Sequence, residues 1–132
     1  MAFKNRLEAG RLLSQKLRDY QGKMELSVSA VSPGGAVIGR QLASFLGCPL
    51  QTKLPSDLKD KTVIVCDDGA ITGKTMIASL QVAWQQCPKK VVAALPVLSR
   101  ESLKKIEAIA DEVVYLELPE PLFALSQFYE EF

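Results

Sequence analysis

Two adjacent carboxylates followed by small, hydroxylated and basic residues make 63–76, VIVCDDGAITGKTM, the segment best equipped for chemistry. Asp67 and Asp68 close an apolar run, Val63 to Cys66, composed like a strand buried on both faces, and Met76 opens a helical stripe. Between them Gly69, Ala70, Ile71, Thr72, Gly73, Lys74 and Thr75 lead straight into that helix, whose first amides lack intrahelical acceptors. Amides opened by two glycines, together with the Thr72 and Thr75 hydroxyls and the Lys74 ammonium, suit a phosphate monoester. Carboxylates directly before an anion cradle repel that phosphate, so their work must differ. They can accept hydrogen bonds from sugar hydroxyls or hold Mg²⁺ through water. One loop then reads a sugar and its phosphate together.

The competing motif is the P-loop, since Gly73-Lys74-Thr75 matches its end. Its first glycine belongs at position 68, which is Asp68, and counting from Gly69 leaves the loop one residue short. No later acidic strand end stands out to hold the metal of a nucleotide hydrolase, so that reading is rejected. A plain strand-to-helix turn with an acidic start would explain Asp-Asp-Gly alone, but not its combination with Thr-Gly-Lys-Thr.

The rest of the chain limits the chemistry further. Its 132 residues, 48% hydrophobic and 23% charged, suffice for one core, so 1–132 is expected to be a single domain. The absence of histidine removes imidazole bases and most catalytic zinc sites. A formal charge of +1 gives no overall pull toward nucleic acid or an anionic membrane. Cys48, Cys66 and Cys87 form no C-x-x-C pair and suit a reducing compartment. The start MAFKNRLEAG has no signal-peptide core and no apolar run reaches membrane-spanning length, so a soluble cytoplasmic protein is expected.

The elements that must position the loop follow from periodicity. Phe3, Leu7, Gly10, Leu13, Leu17 and Tyr20 predict an amphipathic helix ending near Gly22, and Leu26 to Val31 reads as the first strand. Ser32-Pro33-Gly34-Gly35 breaks that strand; Ile38, Leu42, Phe45 and Leu46 mark a second helix, and Leu50 to Lys53 a short extended piece. Met76, Leu80, Ala83, Trp84 and Cys87 give a third helix, with Trp84 expected in the core. Val91 to Val97 and Val113 to Leu116 read as buried strands, separated by a helix capped by Ser99 with Leu103, Ile106 and Ala110 inward. Strands alternating with helices predict a doubly wound α/β parallel sheet of about five strands, helices on both faces. Ligands of such sheets bind beyond the strand carboxyl ends where the order reverses, which suits Ser32–Gly35 and Asp67–Thr75. Arg6 and Arg11 are expected on solvated helix faces, and Cys66 as an inert packing residue. The aromatic residues of the acidic tail, Phe123, Phe128, Tyr129 and Phe132, are expected to pack against the body or a second subunit.

Four apolar residues, two acidic ones, a three-residue loop and Thr-Gly-Lys-Thr resemble the binding signature of type I phosphoribosyltransferases. The opening Phe3, Asn5, Arg6, Glu8, Ala9, Gly10, Arg11 and Leu13, and the closing Gln127 to Phe132, resemble the ends of one branch of predicted phosphoribosyltransferases without an assigned substrate. The resemblance implies that Asp67 and Asp68 contact the ribose hydroxyls of phosphoribosyl pyrophosphate and that Ala70 to Thr75 hold its 5-phosphate. It implies further that Ser32, Pro33, Gly34 and Gly35 form the pyrophosphate loop, that Mg²⁺ bridges ribose and pyrophosphate oxygens, and that the protein is a homodimer. The expected reaction is Mg²⁺-dependent transfer of a phosphoribosyl group to a base or amine that the sequence does not identify.

Three departures bear on activity. The branch usually reads Pro-Arg-Gly-Gly where this chain has Ser32-Pro33-Gly34-Gly35, so a guanidinium is missing. Lys53 to Lys61 replaces a long segment that closes over the substrate in relatives. Ile71 stands where purine-salvage relatives carry a carboxylate, so a 6-oxopurine acceptor is not carried over. These departures give the alternative expectation of a phosphoribosyl or nucleotide sensor without turnover; a third is an assembly subunit with a vestigial pocket.

Overall fold

A computed structural model describes residues 2–132. Five strands, β1 (Leu26–Ala30), β2 (Leu50–Gln51), β3 (Thr62–Cys66), β4 (Lys90–Ala94) and β5 (Glu112–Val114), form one sheet in the order β2-β1-β3-β4-β5. Every pairing is parallel, with Val28 opposite Ile64 and Ile64 opposite Val92 at the centre. Helix α1 (Arg6–Lys16) precedes β1; α2 (Pro33–Leu46), α3 (Lys74–Gln85) and α4 (Arg100–Glu107) supply crossovers, and the four together cover both faces. The predicted doubly wound α/β sheet is the fold observed.

The continuous apolar runs of the central strands are explained by two-sided burial. Ile64 and Cys66 of β3, with Val92 and Ala94 of β4, face Leu13, Ile38, Leu42 and Leu46 of α1 and α2. Their neighbours Val63, Val65, Val91 and Ala93 face Met76, Leu80 and Ala83 of α3 and Ile106 of α4. The chain passes from β1 through α2 to the edge strand β2 and returns to β3 on the other side of β1. The order therefore reverses between β1 and β3, and the two loops singled out in the sequence both leave the sheet there.

Several expectations need correction. Residues 32–35 do not form a loop ahead of a helix at Ile38: α2 begins at Pro33, with Ser32 as its N-cap accepting the Gly35 amide at 2.9 Å. Serine at the cap and proline in the first turn are a helix start, and the glycines are helical. Leu7 is exposed although it falls on the α1 apolar period. Trp84 is also outside the core, 38% exposed, its indole N–H donating to the Ile109 carbonyl. Cys87 lies beyond the end of α3 with a left-handed backbone (φ 59°), and the regular part of the fourth strand ends at Ala94.

The tail joins the body, as one of the two expected packings. Phe3 N–H donates to the Phe128 carbonyl and Glu130 N–H to the Phe3 carbonyl, both at 2.9 Å, beside a 5.3 Å contact between the Phe3 and buried Tyr129 rings. Phe123 remains exposed. Among the described residues no helix is long and apolar enough to cross a membrane.

Candidate functional site

β3 ends at Cys66, so the chain emerges from the sheet at Asp67 and turns through 68–73 into α3. Gly73 caps α3 in a left-handed conformation (φ 82°) and brings no side-chain acceptor to the first-turn amides. The Lys74 amide reaches Thr72 Oγ1 at 3.4 Å, and the amides that follow are left for an anion or water. Lys74, Thr72 and Thr75 are exposed around them. The turn is rigidly backed: Ala70 N–H donates to the Val97 carbonyl at 3.1 Å, and the Ile71 carbonyl accepts from Ser99 Oγ (2.6 Å) and Ser102 Oγ (2.8 Å). The hollow above it, about 300 Å³, is lined by Ser32, Asp67 to Met76 and Leu125. A larger hollow beside β5 lies against Gln15, Lys16, Arg18 and Asp19, away from both loops.

The two carboxylates face different partners. Asp67 Oδ1 accepts from Ser32 Oγ at 2.6 Å and from the Asp68 amide at 2.9 Å, so the α2 cap residue ties β1 to β3 across the switch point. Burial pushes the Asp67 carboxyl up to about 6, the Asp68 charge adds to the rise, and the Ser32 hydroxyl opposes it. Asp68 Oδ2 accepts from Arg6 Nε at 2.9 Å, and its backbone carbonyl accepts from the Tyr129 hydroxyl at 2.7 Å. Burial also pushes the Tyr129 phenol up, keeping it a neutral donor. Cys66 beneath the pair is fully buried with its thiol pushed up by burial, an inert packing group as expected.

Asp67 to Thr75 thus share one hollow with Ser32, while Pro33, Gly34 and Gly35 form the first turn of α2 beside it. A Cβ on Gly34 would come within 2.2 Å of Asp68 Oδ2, and one on Gly35 within 2.9 Å of Asp67 Oδ1. The glycines let α2 press against the acidic pair. Arg6 is not the solvated helix residue expected from sequence; its side chain is 22% exposed and paired with Asp68. Sequence reasoning also did not assign Ser99, Ser102, Leu125 or Tyr129 to the site. Ser99 carried a cap signal, but its contact with Ile71 crosses 28 residues.

The 53–61 segment does not approach the hollow. Leu58 is buried, its N–H donates to the Gln86 carbonyl at 3.1 Å, and Lys59 bridges Pro88. Gln86 and Pro88 lie between α3 and the start of β4, at the end of the sheet opposite the acidic pair.

Residues 51–125, more than half of the chain, match the model of the phosphoribosyl transferase domain. Two Mycobacterium tuberculosis proteins, from strains CDC 1551 and H37Rv, provisionally named phosphoribosyl transferases, are each 37% identical over 75 residues. Those residues are 57% of this chain, and the chain spans only 17% of the length of each relative. The crystal structure of TT1426 from Thermus thermophilus superposes with a TM-score of 0.87 at 23% identity, over 100% of this chain and 92% of that one. A purine phosphoribosyltransferase from Pyrococcus horikoshii gives 0.62 at 22% identity, over 90% and 93% of the two chains. An orotate phosphoribosyltransferase from Aeropyrum pernix gives 0.61 at 21%, over 84% and 67%. At these identities the three structures establish the fold.

Proposed function

Because the chain belongs to the phosphoribosyl transferase domain family, we propose that its hollow binds phosphoribosyl pyrophosphate for Mg²⁺-dependent transfer of the phosphoribosyl group to a base or amine. The observation that carries the reading is the joining of a buried carboxylate pair and an uncapped helix start in one hollow at the switch point. Asp67 and Asp68 accept the ribose hydroxyls, and 70–75, through the amides that follow Ala70 and the side chains of Thr72, Lys74 and Thr75, takes the 5-phosphate. Ser32 to Gly35 face the pyrophosphate. The protein's contribution is chiefly orientation: held at both ends, the sugar presents its anomeric carbon to an acceptor.

No group of three or more His, Cys, Asp or Glu able to hold a metal exists among the described residues. Two neighbouring carboxylates do fit Mg²⁺, which keeps several waters and takes its other oxygens from substrate. Asp67 and Asp68 would hold it through water, and when bound it supplies charge compensation for the leaving pyrophosphate. The cytoplasm, where such ligands and thiols coexist, is the proposed location, and a homodimer the proposed assembly.

A second reading, a sensor of phosphorylated ribose without turnover, is favoured by the anchoring of 53–61 to Gln86 and Pro88, away from the hollow. Calorimetric titration with phosphoribosyl pyrophosphate, with and without Mg²⁺, tests the site. The native chain should bind and Asp67→Asn/Asp68→Asn should not; equal binding by both removes the proposed site. Pyrophosphate release on adding candidate bases then separates enzyme from sensor.

A further inference from the structure

We propose that Arg6, carried on α1 and far from both loops in sequence, is the cation that receives the pyrophosphate of the ligand; the inference rests on the phosphoribosyl reading above. The Ser32–Gly35 segment has no guanidinium, and among the described residues the only cation lining the 67–76 hollow is Lys74, at the 5-phosphate end. A ligand with phosphate at one end of its sugar and pyrophosphate at the other needs positive charge at both. Arg6 lines an adjoining hollow with Asn5, Val37, Glu131 and Phe132, and meets the site beside Gly34 and Asp68. A Cβ on Gly34 would lie 3.0 Å from its Nε, so the guanidinium occupies the space that glycine leaves open in the first turn of α2.

The attachments of Arg6 suit it to this task. Nε donates to Asp68 Oδ2 at 2.9 Å, Nη1 donates to the terminal backbone oxygen of Phe132, and the Phe132 ring centre lies 3.9 Å from the guanidinium carbon. Two of these three supports, the Nη1 bond and the ring contact, do not involve Asp68, so the side chain stays in place when Asp68 turns to the ribose and frees Nε. Nη2 makes no hydrogen bond among the described residues, and a planar guanidinium can hold one carboxylate while forking to a second oxyanion. At 22% side-chain exposure the charge is partly desolvated, which strengthens such bonds. Arg11, by contrast, is exposed one turn further along α1 and has none of these attachments. The missing loop arginine is thus replaced from another element, and Arg6 discriminates a pyrophosphorylated ribose from a ribose bearing the 5-phosphate alone.

The test compares two probes, phosphoribosyl pyrophosphate and ribose 5-phosphate, each titrated with Mg²⁺ into the native chain, Arg6→Gln and Arg6→Lys. Arg6→Gln is expected to weaken phosphoribosyl pyrophosphate tenfold or more while ribose 5-phosphate stays within about twofold, the loss expected of one charged hydrogen-bonding group. Arg6→Lys should recover part of the loss; it keeps the charge and carries the same comparison if the Gln variant does not fold. Equal weakening of both probes would mean that Arg6 only holds Asp68 in place, and that result, or no weakening of either, overturns the inference. A native chain that binds ribose 5-phosphate but not phosphoribosyl pyrophosphate overturns it while leaving the sugar-phosphate site standing. Binding of neither probe overturns both.

Discussion

Asp67→Asn should make the protein more stable and less able to bind its ligand. Asp67 is 7% exposed, and burial pushes its carboxyl from an ordinary 3.8 up to about 6. A folded-state value above the unfolded one means that the folded chain binds the proton more tightly. The ionised carboxylate therefore opposes folding above pH 6, and the opposition is relieved as pH falls from about 6 to about 4. A rise of roughly two units corresponds to about 3 kcal/mol. In the variant the amide oxygen can still accept from Ser32 Oγ and the Asp68 amide, so both hydrogen bonds survive and the buried charge is gone. Urea unfolding in metal-free buffer is the assay, run at pH 4.5, 6 and 7.5 on both proteins. At pH 7.5 the variant should be more stable by about 1–3 kcal/mol, seen as a higher urea midpoint, and the gap should close toward pH 4.5. A variant less stable at pH 7.5, or a gap independent of pH, refutes the reasoning.

Two further outcomes follow from the same geometry. If the ligand needs Asp67 ionised, its affinity should be flat above pH 7 and about tenfold weaker at pH 5, by titration calorimetry, with proton release in that window. Gly35→Ala should cost about 1–3 kcal/mol in urea unfolding despite the better helix propensity of alanine, because the new methyl would sit 3.0 Å from Asp67 Cα and 3.1 Å from the Cys66 carbonyl. A neutral Gly35→Ala would show that α2 can move off β3 freely.

What could be read in the sequence was whatever lies close along the chain. Val63 to Cys66 announces a strand covered on both faces because each residue meets helix on one side or the other, and the loop after it is contiguous. Arg6 and Tyr129 reach Asp68 across 62 and 61 residues, and no local period encodes such contacts. Trp84 shows how a stripe misleads: it adjoins Ala83 on the helix, and only packing decides that the alanine goes inward while the indole lies outside. Pro33 is a different case, since Ser-Pro ahead of an apolar period is a helix-start signal. It was obscured by the two glycines, whose place in the first turn depends on the closeness of the acidic pair behind them.

The Ser32 hydroxyl is shared: it accepts the Gly35 amide as the cap of α2 and donates to Asp67. Fraying of the first helical turn and loosening of the acidic pair are therefore one local opening event rather than two. Amide hydrogen exchange at Gly35 then becomes a built-in gauge of the site, slowing when a ligand fixes Asp67 and quickening when the hydroxyl lets go. The switch point of this sheet is thus a mechanical joint as well as a place to bind, and its motion can be followed at a single proton.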